Sequence, residues 1–256
     1  MGRIKLFCML VIMIIGLIFC SNSVSSDNFT GVSELAQQLE TAYQQNSQEL
    51  LNEFFGDWKS NLPSYSNNKI STFSDTVEQV YKIFNEFYSP EELNRITGGG
   101  HENFESNFRY IVAQNSLHYT IVDTNPKFYY YAGVSAIENI IGDFRPSGNA
   151  LTKPVVFLSE EMESLIFDFF FHDLNEPKDD LDSRVTFLRQ AIQLTHHHWI
   201  YDFHKATMPI VENIYINDSF NKALVTFRVF YQFGDAYLER KNNNWELIES
   251  RLTAIE

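Results

Sequence analysis

The C-terminal quarter of this chain leaves it little choice of fold. His196–His204, Ile210–Ile216, Ala223–Phe233, Ala236–Lys241 and Trp245–Ile255 are five runs rich in β-branched and aromatic residues. Turn formers stand between them: Pro209, Asn217-Asp218, Gly234-Asp235 and Asn242-Asn243-Asn244. Strands joined by connections this short pair with their sequence neighbours, so the five runs predict an antiparallel meander. The residues upstream must then supply the cover for one of its faces.

Those residues are helical in period. Leu35, Leu39, Ala42 and Tyr43, then Leu50, Leu51, Phe54, Phe55, Trp58 and Leu62, recur every three to four positions from Ser33 until Pro63. A second helix is expected from Ser74 to Tyr88. Ser89-Pro90-Glu91-Glu92 opens a short helix, with proline in its first turn and acids at the positive end of its dipole. Gly98-Gly99-Gly100 stops it.

The middle of the chain changes period. Phe108–Val112 and Leu117–Val122, separated by Gln114-Asn115-Ser116, read as a hairpin, and Phe128–Tyr131 as a further strand. Phe144–Lys153 reads as loop and Val155–Leu158 as a short apolar strand. Ser159-Glu160-Glu161 caps a helix whose body, Leu165 to Phe171, is apolar nearly all round and is expected to be buried. An acidic connection over Asn175–Asp182 leads to a helix from Ser183 to Leu194. The fold class expected is α+β: N-terminal helices, then a curved antiparallel sheet whose C-terminal meander packs against helices. Residues 32–256 read as one domain, with residues 32–100 as an optional helical sub-domain.

The final three strands, closing on Asn244-Trp245-Glu246-Leu247, resemble the end of the NTF2-like family. The resemblance covers the last third of the chain. It implies a cone-shaped sheet holding a pocket.

The other end carries an address. Arg3 and Lys5 precede an apolar run from Leu6 to Phe19, and Cys20 opens the polar stretch SNSVSSDN. That is the layout of a secretory signal. The run is about 14 residues, or roughly 21 Å as a helix, short of the ~30 Å of a bilayer's hydrocarbon core. Leu17-Ile18-Phe19-Cys20 resembles a bacterial lipoprotein signal, which implies cleavage before Cys20 and a lipid on its sulfur. Phe19 stands where a small residue is usual. Two other readings are cleavage after Ser23 or Ser25, giving a secreted or periplasmic protein, and retention of the segment as a membrane anchor. Residues 21–31 read as a polar tether. Cys8 and Cys20 are the only cysteines. The domain beyond them can form no internal disulfide and must be held by its core.

The core is not in short supply, at 44% hydrophobic and 15% aromatic residues. Without the two basic residues of the signal, the net charge moves from −14 to −16. Such a surface repels nucleic acid and anionic lipid. The partners expected are therefore a membrane through the N-terminal lipid, and a small ligand or another envelope protein. Nucleic acid is not among them.

Chemistry is sparse. If His196–His204 is one strand, His196, His198, Ile200, Asp202 and His204 share one face, and His197, Trp199, Tyr201 and Phe203 the other. His196-x-His198 is the spacing by which two imidazoles on a strand reach one metal. Zinc, the cofactor this spacing suggests, needs a third ligand, from His172, Glu160, Glu161 or another strand. Asp202 would lie about 20 Å along the strand from His196. With His204 it offers a general acid/base pair instead. The plain alternative is exposed or hydrogen-bonded histidines at a strand's start. Gly98-Gly99-Gly100-His101 lacks the lysine and the spacing of a phosphate loop and reads as a helix stop. Tyr129-Tyr130-Tyr131 could stack on a sugar, but strand alternation explains it equally. The function expected is an exported envelope lipoprotein that binds a ligand or a protein. The alternative is an enzyme, a hydrolase or isomerase, using the His196–His204 strand.

Overall fold

The structure is a computed structural model that describes residues 31–100, 108–127, 138–147, 151–171, 178–196 and 203–255. Residues 32–256 form one compact unit. The signal segment, Cys20 and the tether up to residue 30 lie outside the described residues, as do Phe128–Tyr131, His172, His198 and Asp202.

Where the sequence suggests one long helical stretch before Pro63, the chain makes two helices, α1 (Val32–Gln44) and α2 (Gln48–Asn61). The break has a local cause. Asn46 takes φ 46°, which asparagine tolerates, and Ser47 caps α2 by accepting a hydrogen bond from the Leu50 N–H. A short α3 (Asn67–Ile70) follows. Next comes α4 (Asp75–Phe87), capped by Ser74 through the Val77 N–H, within one residue of expectation. Ser89–Leu93 is a turn rather than a first helical turn, so α5 (Asn94–Thr97) starts late. Gly98, at φ 79°, ends it in the left-handed conformation that only glycine adopts freely.

The expected hairpin of the middle region does not form. β1 (Ile111–Gln114) pairs in parallel with β4 (Val155–Leu158), while β2 (Leu117–Val122) joins the main sheet. The burial pattern explains it. Ile111, Val112 and Ala113 are buried in succession, on both faces, as a strand enclosed from two sides must be. β3 (Glu138–Ile141), unforeseen in the sequence, pairs with the outer edge of β2 and leaves Ile140 exposed.

After β4, α6 (Glu160–Phe170) is capped by Ser159 as expected. It is not buried all round: Phe167 is 50% exposed, and its ring lies against that of Phe171. α7 (Lys178–Leu188) begins five residues before Ser183 and ends well before Leu194. Two very short strands, β5 (Thr195–His196) and β6 (Phe203–His204), precede the long ones.

The terminal meander forms as β7 (Ile210–Asn217), β8 (Lys222–Val229), β9 (Gln232–Lys241) and β10 (Asn244–Ile255). The six-stranded order is β10-β9-β8-β7-β2-β3. The β2–β7 pair is parallel, so the sheet is mixed rather than wholly antiparallel. Bulges after Leu247, Leu252 and Val211 bend the strands that carry them. Asn242 and Asn243 both take positive φ, 51° and 67°, the signature of a two-residue type I′ hairpin. Gly234-Asp235 is not a turn. The chain reverses at Phe230-Tyr231, with Phe230 at φ 54°, and β9 runs straight through Gly234.

Two cores result. One lies between α4, α5 and one face of the sheet, with Phe84, Phe87, Phe227, Val225 and Leu238 at its centre. The other gathers α1, α2, α6 and α7 around Phe54, Phe55, Trp58 and Ile166. The helices of residues 32–100 are therefore divided between the cores. β1 separates them: Ile111 packs into the sheet core and its neighbour Val112 into the helical core. The Trp58 Nε1–H donates to the Phe157 carbonyl at 3.0 Å, fixing α2 to β4.

Candidate functional site: a groove between α1 and α6

Of His196, His198, Asp202 and His204, singled out in the sequence, the structure describes the backbone of His196 and the whole of His204. His196–His204 is not one strand. β5 and β6 run antiparallel, with Thr195 opposite His204 and His196 opposite Phe203, so they are two strands and not one. Phe203 is buried against Phe170 in the helical core, which anchors β6 there. His196 and His204 therefore do not lie along one strand, and His198 and Asp202 are outside the described residues. His204 is half-buried on β6. Among the described residues no three His, Cys, Asp or Glu side chains gather to hold a metal. Glu160 and Glu161, named as third ligands, line a groove.

The groove runs between α1 and α6, which pack directly on each other. Its volume is about 770 Å³. On α1 the lining falls at Val32, Ser33, Ala36, Gln37 and Glu40; on α6 at Glu160, Glu161, Ser164, Leu165, Asp168 and Phe169. Each set is one helical stripe, recurring at three to five residues. The helices touch below, through buried Leu35 and Leu39 on α1 and Met162, Leu165 and Ile166 on α6. Above that seam the facing side chains Ser33, Ala36 and Ser164 are too small to meet, and the cleft stays open. Leu165 and Phe169 form its apolar floor.

Its rear wall is fixed by a buried cation. Arg184 of α7 donates from Nη1 and Nη2 to both carboxylate oxygens of Glu40, at 2.6 and 3.2 Å. Its Nε donates to Asp180 at 2.6 Å, and Nη1 also to the Phe169 carbonyl at 3.2 Å. The guanidinium lies over the rings of Tyr43 and Phe169. Burial works against this charge, but the hydrogen bonds and charges of Glu40 and Asp180 outweigh it and raise the Arg184 pKa. The Tyr43 hydroxyl donates to Asp180 at 2.8 Å. Burial first, and that bond second, push the Tyr43 pKa up. Planar, bidentate recognition of this kind is what arginine does and lysine cannot. Glu40 on the groove wall and Phe169 on its floor are thus held in place.

The other acids are placed differently. Glu160 and Glu161 occupy the first turn of α6, where the helix dipole favours negative charge. Asp168 sits near the opposite end, where the dipole disfavours it, and the last turn of α6 has no basic residue. All three are exposed. The sequence carried one faint signal of this site, small residues on otherwise large-residue helices at Ser33, Ala36 and Ser164. It gave no hint that α1 and α6 are neighbours.

The sheet face turned away from α4 carries a polar row. Thr120, Asn213 and Thr226 are buried on three adjacent strands, and the Asn213 Nδ2 donates to Thr120 Oγ1 at 3.1 Å. Beyond them Asp235 forms an ion pair with Arg251 at 2.9 Å. No helix among the described residues is long and apolar enough to cross a membrane. Comparison with known protein families, curated proteins and solved structures returns no match.

Proposed function

We propose that the protein is an exported lipoprotein, lipidated at Cys20, that works by binding another envelope protein in the α1–α6 groove. The observation that carries the binding role is the groove itself: a cleft with an apolar floor, carboxylates on its walls, and a rear wall held by the Arg184 network. Concave, mostly apolar sites with a few fixed polar groups are where proteins take ligands. The exported, lipidated state rests on the layout of residues 1–20. The groove begins at Val32, twelve residues after Cys20. Fully extended, that length spans at most about 40 Å. A lipid at Cys20 would keep the groove within that distance of a membrane surface, where an envelope partner would meet it.

Two experiments test this. A photoreactive benzoyl-phenylalanine at Gln37, inside the groove, should cross-link a partner in cells of the native host. The adduct should vanish when Ala36→Leu fills the cleft. Equal adducts from a probe at exposed Lys241, on the hairpin between β9 and β10, would overturn the groove assignment. Cys20→Ala should abolish incorporation of labelled fatty acid and release the protein from membranes. A variant that remains membrane-bound refutes the lipid anchor.

A further inference from the structure

We infer that the segment bound in this groove is a short, basic, amphipathic helix of the partner protein. The inference rests on the groove being the working surface, and adds the chemistry that fits it. Charge comes first. The walls hold Glu40, Glu160, Glu161 and Asp168, and no Lys, Arg or His. Arg184 pairs with Glu40 and shares its charge with Asp180. Glu160, Glu161 and Asp168 are exposed and form no ion pair among the described residues. The dipole of α6 accounts for the first two, but Asp168 stands where it weakens its own helix. A cation brought by a partner would offset that.

The floor sets the second requirement. Leu165 and Phe169 make that floor apolar, so the occupant that fits it is amphipathic, with its basic groups flanking an apolar stripe. The walls set the third. Both are helices, whose backbone groups are satisfied internally. An extended segment would find no strand edge to pair with and would enter the cleft with unpaired amides. A helix brings its own hydrogen bonds. The α1 lining from Val32 to Glu40 rises about 12 Å, two helical turns. That is room for apolar anchors at i, i+3 or i+4, and i+7.

The test uses the full chain in zwitterionic lipid nanodiscs and a fluorescein-labelled 14-residue Leu/Lys peptide with helical periodicity. Fluorescence anisotropy is read against empty discs. The peptide should bind, and added salt should weaken it. Glu160→Gln/Glu161→Gln/Asp168→Asn should bind about tenfold more weakly at low salt and show a shallower salt dependence. Ala36→Leu/Ser164→Leu, at exposed positions, should abolish binding while leaving the melting curve in place. Binding unchanged in the charge-neutral variant, or equal binding of a Leu/Glu peptide, overturns the basic occupant while the groove reading stands. Equal binding of a scrambled peptide of the same composition overturns the helix. Binding that survives Ala36→Leu/Ser164→Leu overturns both inference and groove. No peptide binding, with the Gln37 cross-link still forming, overturns the inference alone.

Discussion

Gly234→Ala should destabilise the protein, although local propensity argues the opposite. Alanine in a strand is favoured over glycine by about 0.5–1 kcal/mol. In β9 the added Cβ would stand 2.3 Å from Cζ and 2.7 Å from Cε2 of Phe227, and 2.8 Å from the Arg251 carbonyl oxygen. Carbon atoms rest at about 3.5–4.0 Å, so the ring must retreat by about 1 Å. It has nowhere to go. Phe227 is fully buried, and its ring centroid lies 5.0 Å from that of Phe87 on α4. The third contact is backbone of the neighbouring strand β10 and cannot rotate away. Overpacking of this kind costs about 1–3 kcal/mol, and the rigid third contact places this site at the upper end. Net of propensity, the loss is about 2 kcal/mol, or a fall in Tm of about 4–8 °C for a domain of this size. Urea unfolding measures it as a lower midpoint at unchanged slope. The double variant Gly234→Ala/Phe227→Leu should lose at least about 1 kcal/mol less than the sum of the singles, because the smaller side chain vacates the space. A Gly234→Ala protein as stable as the original, or strict additivity with Phe227→Leu, would refute this account.

Two further outcomes follow from buried polar groups. Arg184→Ala should cost about 2–3 kcal/mol in urea unfolding, below the ~3–5 of a fully buried pair. The discount arises because the Glu40 and Asp180 side chains are 26% and 29% exposed and can rehydrate. A loss under about 0.5 kcal/mol would mean that the network is only decorative. Burial pushes the hydroxyl of Tyr81 up to about 12, and burial with the hydrogen bond to Glu239 pushes Tyr237 up to about 12. Folding favours the neutral phenols, so their contribution to stability is whole below the unfolded value of about 10 and is lost as pH rises from there to about 12. Ultraviolet titration of Tyr81→Phe and Tyr237→Phe should each remove one late-ionising phenol; removal of an early one contradicts the burial.

What the sequence revealed depended on how local each cause was. The caps at Ser74 and Ser159, the stop at Gly98 and the Asn242-Asn243 turn are decided within a few residues, and each lies where its sequence signal stands. Gly234-Asp235 misled because that pair is an ordinary turn signal, whereas this glycine answers to a ring on the next strand. The partner of β1 was hidden for another reason. A run of three buried residues reads alike whether it pairs with a neighbour in a hairpin or, as here, with Val155–Leu158 far along the chain. His196–His204 failed as a single strand because period two cannot tell one long strand from two short ones folded back. The groove was hidden most completely, since it needs α1 and α6, more than a hundred residues apart, side by side.

The position of β1 bears on how the groove and the sheet communicate. Val112 belongs to the helical core, Ile111 to the sheet core, and Thr207, just before β7, clasps the strand between them. The Thr207 N–H donates to the Val112 carbonyl at 2.8 Å, and the Val112 N–H donates to Thr207 Oγ1 at 2.9 Å. Loss of either core would strip β1 of half its cover and leave these buried groups unpaired, so the two cores should melt together. Trp58 reports the helical core and Trp245 the sheet core. In a Trp199→Phe background, removing one or the other by phenylalanine isolates each signal. Within each variant, indole fluorescence and far-ultraviolet dichroism should trace one urea transition, as two-state unfolding requires. A ligand in the groove at 100 times its Kd should then add about 2.7 kcal/mol to both reporters, although only Trp58 belongs to the core beneath it. Fluorescence and dichroism transitions that separate, or a ligand that shifts the Trp58 signal alone, would show that β1 divides the molecule rather than joining it.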